Sequence, residues 1–209
     1  MGQRSQIYVR YIPYEEKEND IPKRHLIASY FQWNFGERMI SRARYTLEWI
    51  KDKEFSKYTW DERVKTLRRI MEVNFNYKDV VLSTDIVKEF IDYADKEDSF
   101  YDYVFAAQDN NDGKLLIDVS EERIKYAFIG NDFDETHEVY DAEAYMDWNM
   151  SLDDKSWRDR ECMNGHVKYT ERNIRKISKV AKLMSLEEVE EFMHYDYEKS
   201  MGLVRRDHT

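Results

Sequence analysis

The densest group of chemistry-bearing side chains is the run "NDFDETHEVYD", which sets Asp132, Asp134, His137 and Glu138 close together. Carboxylate and imidazole ligands of this kind hold divalent cations, and a metal-dependent nuclease or hydrolase uses such a set to activate water. No HExxH or comparable paired-histidine spacing accompanies it, and a solvated acidic loop accounts for the same residues. The turn "DNNDG" at 109–113 offers calcium-type ligands. Counted from Asp109, however, its glycine falls at position 5 where an EF-hand needs position 6, and position 12 is not acidic. A hairpin turn explains it better. Cys162 and His166 form C-x3-H, too few ligands for zinc. With five histidines in the chain there is little material for acid–base catalysis, and neither GxGxxG nor GxxxxGK[ST] occurs. The expectation is a protein without a cofactor or a resident metal, and without a catalytic centre.

Charge is more informative. The net charge is −10, and residues 130–154 hold nine carboxylates with no Lys or Arg. Within that tract Asp132, Asp134, Glu135 and Glu138 are the candidate contacts to a basic partner. Cations gather at 38–44, 63–69 and 168–182. A helix over 37–51 points Met39, Ile40, Ala43, Leu47 and Ile50 at the core. Its other side carries a stripe of Arg38, Arg42, Tyr45 and Trp49, residue types that interfaces and single-stranded nucleic acids both use. The competing reading packs Tyr45 and Trp49 beneath a neighbouring segment. Arg172, Arg175, Lys176, Lys179 and Lys182 form a further basic stripe, able to grip phosphates or simply to face solvent.

The elements that position these residues follow from periodicity. "QIYVRYI" and "HLIASYFQW" read as strands of a hairpin spanning 6–33. Helices follow at 37–51, after the capping box Thr59/Glu62, and over "TDIVKEFIDYAD". Trp60, Val64, Leu67 and Met71 share one face of the second helix. "YVFAAQDNNDGKLLIDV" reads as a second hairpin and "RIKYAFI" as a further strand. A short helix near 141–150, one over 170–184, and one opened by the capping box Ser185/Glu188 complete the chain. The expected class is α+β, an antiparallel sheet of about five strands with helices packed on one face.

The 209 residues suit a single domain, 1–209, with an acidic, loop-rich segment at about 130–169. Hydrophobic residues make up 42% of the chain, enough for a sizeable core. The single cysteine excludes an internal disulfide, and no apolar run approaches the ~18–20 residues of a membrane span. A cytoplasmic protein without membrane contact is expected.

"MGQRSQIYVRY", "SYFQWNFGERMISRARY" and "QDNNDGKLLIDV" resemble segments of uncharacterised small proteins encoded by phages and conjugative elements of Gram-positive bacteria. The resemblance implies a setting in which small acidic proteins block host defence nucleases. The expected function is a non-enzymatic protein-binding module that inhibits a nucleic-acid-binding defence protein, of anti-CRISPR or anti-restriction type, through its acidic surface. The alternatives are a metal-dependent nuclease or hydrolase at 132–138, and direct nucleic-acid binding through the basic helix faces.

Overall fold

The computed structural model describes residues 3–11, 24–52, 58–72, 83–107, 111–119 and 123–204, with backbone alone at 60–61 and 71–72. Strands β1 (Arg4–Tyr11) and β2 (His25–Gln32) pair antiparallel, from Arg4 opposite Gln32 to Tyr11 opposite His25. This is the first expected hairpin; its connection lies outside the described residues. The remaining strands are β3 (Ser83–Asp85), β4 (Lys114–Val119), β5 (Ile124–Ile129), β6 (Val139–Tyr140) and β7 (Lys182–Leu183). Their order is β3-β2-β1-β4-β5-β6, with β7 also on β5, giving a seven-stranded sheet among the described residues.

The α+β class holds, but the sheet is mixed where an antiparallel one was expected. β1 runs parallel to β4, with Gln6 beside Lys114 and Tyr11 beside Val119, and β7 runs parallel to β5. Helices also cover both faces, not one. On the first face α1 (Glu37–Lys51), α2 (Trp60–Glu72), α5 (Ala142–Met150) and α6 (Val167–Val180) meet Ile7, Val9, Leu115 and Ile117. On the second, α3 (Ile86–Tyr93), α4 (Phe133–Thr136), α7 (Leu186–Met193) and α8 (Tyr197–Met201) meet Tyr8, Leu26, Leu116 and Ile129. The physical reason is Tyr8. Its phenol reads as the polar half of an alternation, yet it is fully buried, and its hydroxyl donates to the Val104 carbonyl at 2.7 Å. Strands buried on both faces are the normal companions of parallel pairing.

Val104 belongs to the second correction. The run "YVFAA" at 103–107, expected as a strand, instead lies largely in a π-helical turn, Asp102–Ala106. Ser99 starts it by accepting from the Asp102 amide at 3.0 Å, and Phe100, Val104 and Phe105 then face inward. The hairpin at this end of the chain is instead β4–β5.

Helix faces and caps follow the periodicity. Met39, Ile40, Ala43, Leu47, Ile50 and Leu67 are buried, and Val64 packs against them half-buried. The side chains of Trp60 and Met71 lie outside the described residues. Glu62 accepts from the Thr59 amide at 2.9 Å, and Ser185 with Glu188 closes a full capping box at the start of α7. Truncating Leu47 to Ala is expected to destabilise the protein by about 2–5 kcal/mol. Equilibrium urea denaturation checks this, and an unchanged midpoint would put the α1 face in solvent.

Candidate functional site

The acidic tract wraps the β6 edge of the sheet. Phe133 of α4 and Val139 of β6 pack on the second face, whereas Tyr140 and the α5 residues Ala142, Tyr145 and Met146 pack on the first. The chain therefore crosses from face to face at this edge, and its polar side chains are turned outward. Asp134, Glu135, Glu138, Asp141, Asp147, Asp153 and Asp154 are exposed; Asp132 and Glu143 are half-buried. Several are already engaged. Asp141 caps α5 by accepting from the Glu143 and Ala144 amides at 2.9 and 2.8 Å. Asp134 accepts from the Tyr101 hydroxyl at 2.6 Å, Glu138 from the Tyr140 hydroxyl, and Glu143 pairs with Arg158 at 2.7 Å. Burial, then the carboxylate each one donates to, pushes the Tyr101 and Tyr140 hydroxyls well above the usual phenol range.

These engagements separate the residues that sequence proximity grouped for a metal. Asp134 turns to Tyr101, Glu138 to Tyr140, and His137 Nδ1 lies 3.5 Å from Glu190 of α7. Among the described residues no three His, Cys, Asp or Glu side chains converge as a ligand set.

The Arg38/Arg42/Tyr45/Trp49 stripe does not form one surface. Arg42 is 1% exposed; its Nε donates to Asn34 Oδ1 at 2.8 Å and its guanidinium lies 5.3 Å from the Phe31 ring centre. Buried Arg42 is thus removed from any surface contact, because α1 is enclosed by the sheet, α2 and α6 rather than lying on the outside. Trp49 packs at the rim of the core, 6.1 Å from Tyr58, and Tyr45 lies under the Arg44 guanidinium at 4.2 Å. Arg38 is half-buried and donates to the Trp33 carbonyl at 3.2 Å. That carbonyl belongs to an exposed Trp with φ of 59°, a conformation that bulky residues rarely adopt. It is held there by the Trp33 amide on the Gln3 carbonyl and by fully buried Asn34, whose Nδ2 donates to Ser5 Oγ at 2.9 Å.

Sequence reasoning missed two buried charged residues at the start of β4. Asp112 accepts from the Arg4 amide at 2.6 Å and from Asn149 at 3.4 Å, while its carbonyl accepts from Tyr145. Burial raises its pKa. These bonds tie the turn before β4 to β1 and α5. Lys114 is 5% exposed, and burial lowers its pKa to about 8 against an opposing pull from Asp134. The available signal was position: in "GKLLIDV" the lysine alternates with Leu116, so a strand covered on both faces must enclose it.

Among the described residues, no helix is long and apolar enough to cross a membrane. No protein-family model, curated protein or solved structure matches the chain.

The Lys114 shift has a consequence for stability. Its folded pKa of about 8 lies below the ordinary 10.5, so the unfolded chain binds the proton first as pH falls. Native stability therefore declines from about pH 10.5 to 8 and stays lower beneath that window. Replacing Lys114 with Met is expected to stabilise the protein at pH 7 by up to about 3 kcal/mol and to remove the rise above pH 8. Thermal melts of both proteins from pH 7 to 9.5 measure it; parallel pH profiles would refute it.

Proposed function

We propose that this protein is a non-enzymatic binding module whose acidic edge docks on a basic surface of a partner protein. The observation that carries this reading is the exposure of seven of the nine carboxylates of residues 130–154 around one sheet edge, without a Lys or Arg in the tract. Like charges so gathered repel one another, and the folding contacts of Asp134, Glu138, Asp141 and Glu143 account for only part of the cluster. Against a row of lysines and arginines that repulsion is relieved and diffusional encounter is accelerated. A groove built to hold nucleic acid is the basic surface that fits best. With the resemblance to mobile-element proteins, this makes a host defence protein of the CRISPR or restriction type the proposed partner class. Asp134, Glu135 and Glu138 stand at the centre of the contact, while half-buried Asp132 contributes less.

One observation favours a second reading. Lys168, Arg172, Arg175 and Lys179 are all exposed on α6 at i, i+4, i+7 and i+11, a spacing that lines phosphate-binding groups along one face. Direct nucleic-acid binding would use this stripe and not the acidic edge.

The test reverses Glu135, Glu138 and Asp147 to Lys, positions whose exposure leaves the core untouched. Capture of a basic protein from a Gram-positive host lysate is expected to be lost in the triple variant, and in the original protein to weaken steeply between 50 and 500 mM salt, values of about one order of magnitude in ionic strength. Capture that survives the reversal overturns the acidic-edge reading. Retention of nucleic acid that is lost on reversing Arg172 and Arg175 would establish the other.

A further inference from the structure

α6 (Val167–Val180) turns Thr170, Asn173, Ile174 and Ile177 inward, against α1 and the first apolar cluster. Its outer face carries Lys168, Arg172, Arg175 and Lys179, all exposed. Among the described residues none of these four side chains makes an ion pair. That sets them apart, because Arg10, Arg24, Arg44, Arg158, Lys125 and Lys176 each pair with a carboxylate. The acids beside the stripe are already taken: Glu48 by Arg44 and Lys176, Glu171 by Arg158. A face of four unpaired cations stands out in a chain of net charge −10. It does not fit the basic surface that the acidic edge fits, since like charges repel. The stripe calls for an anionic ligand of its own.

We propose that α6 is a second binding surface, which holds the phosphate backbone of duplex nucleic acid without reading its sequence. The assignment rests on the nucleic-acid reading of α6 and adds the form of the ligand and the mode of contact. Along a helix, residues 168 and 179 are separated by about 16 Å, at about 1.5 Å per residue. One strand of a duplex places a phosphate about every 3.4 Å of its axis, so a helix laid along it sets four cations against about five phosphates. Single strands, by contrast, are bound by stacking their bases on exposed aromatic rings. The one aromatic residue of α6, Tyr169, is half-buried, and its ring centre lies beneath the Arg172 guanidinium at 5.3 Å. That stacking also keeps Arg172 along the helix surface. Base edges in a groove are read by forked guanidinium or amide pairs. The one amide side chain of the helix, Asn173, is buried and donates to Ser41 at 3.3 Å. What remains is a rigid row of cations, which fits a regular row of phosphates.

Fluorescence anisotropy of labelled oligonucleotides with the full-length protein tests the surface. The probes are two duplexes of unrelated sequence, about 20 base pairs long, and a thymidine single strand of the same length. Both duplexes are expected to bind equally within about twofold, and more tightly than the single strand. The logarithm of affinity is expected to fall against that of salt concentration with a slope of about −3.6, for four phosphates. Arg172→Gln together with Arg175→Gln, both at exposed positions, brings the slope to about −1.8. Tighter binding of the single strand, or a preference above about tenfold for one duplex, would overturn the assignment but leave nucleic-acid binding by α6 standing. No binding of any probe at about 20 mM salt, or a slope unmoved in the double variant, would overturn both. Capture of a basic partner through the acidic edge is a separate readout, so that reading stands or falls on its own.

Discussion

The fold depends on β1 having two different neighbours. It pairs antiparallel with β2, which follows it in the chain, and parallel with β4, which lies about a hundred residues on. That second pairing places β1 and β4 at the centre of the sheet and requires the intervening chain to travel over the sheet and return. The helices of that crossover and those after β5 then cover both faces. Ile7 and Val9 look into one apolar cluster and Tyr8 into the other, each fully buried. A one-residue slip of β1 would exchange these faces and leave the Tyr8 hydroxyl without the Val104 carbonyl.

Polar bonds at the start of the central strands hold that register. Ser5 Oγ donates to the Asn34 carbonyl at 2.5 Å and the Arg4 amide donates to Asp112 at 2.6 Å. Asn149 of α5 donates to Asp112, and its Oδ1 accepts from the Gly36 amide at 2.9 Å, joining the turn before β4 to the entry of α1. Gly36 is required there: with φ of 49°, a Cβ would lie 2.6 Å from the Met150 sulfur. At the opposite end Arg10, 3% exposed, bonds both oxygens of Asp118 at 2.8 Å and pairs with Glu191 of α7 at 2.7 Å. Its guanidinium lies 4.7 Å from the Phe192 ring centre. Removing either partner of such a pair strands a charge, so the contact fixes where α7 docks more than it adds stability.

Two consequences follow from this frame. The edge left open at β6 is clothed by carboxylates, which discourages edge-to-edge aggregation, and the proposed docking surface is this same edge. Solubility alone would be served by mixed charges, whereas this tract has one sign only. The enclosure of the sheet's second face also leaves Lys114 among apolar residues with Asp134 at the margin.

The sequence by itself determined what local period and local bonding control. Leu47 and its neighbours had to share a face of α1, Thr59/Glu62 and Ser185/Glu188 had to start helices, and the 6–33 hairpin had to form, because each depends on residues a few positions apart or on one turn. Exposure of the acidic tract was also legible, since carboxylates are seldom buried without donors to hold them. Only the tertiary structure decided whether the far side of an element was covered. Arg42 and Tyr45 look equivalent on a helical projection, yet Arg42 is enclosed because Phe31 and Asn34, brought by β2 and the turn after it, lie over it. Tyr8 looks half-polar until the 99–106 segment supplies a carbonyl for its hydroxyl. Lys114 looks like a turn-flanking surface residue until β1 and β5 flank it in the sheet and it is buried. Periodicity specifies which side chains point the same way. What they then meet depends on segments distant in sequence, whose docking depends on the burial of the whole sheet.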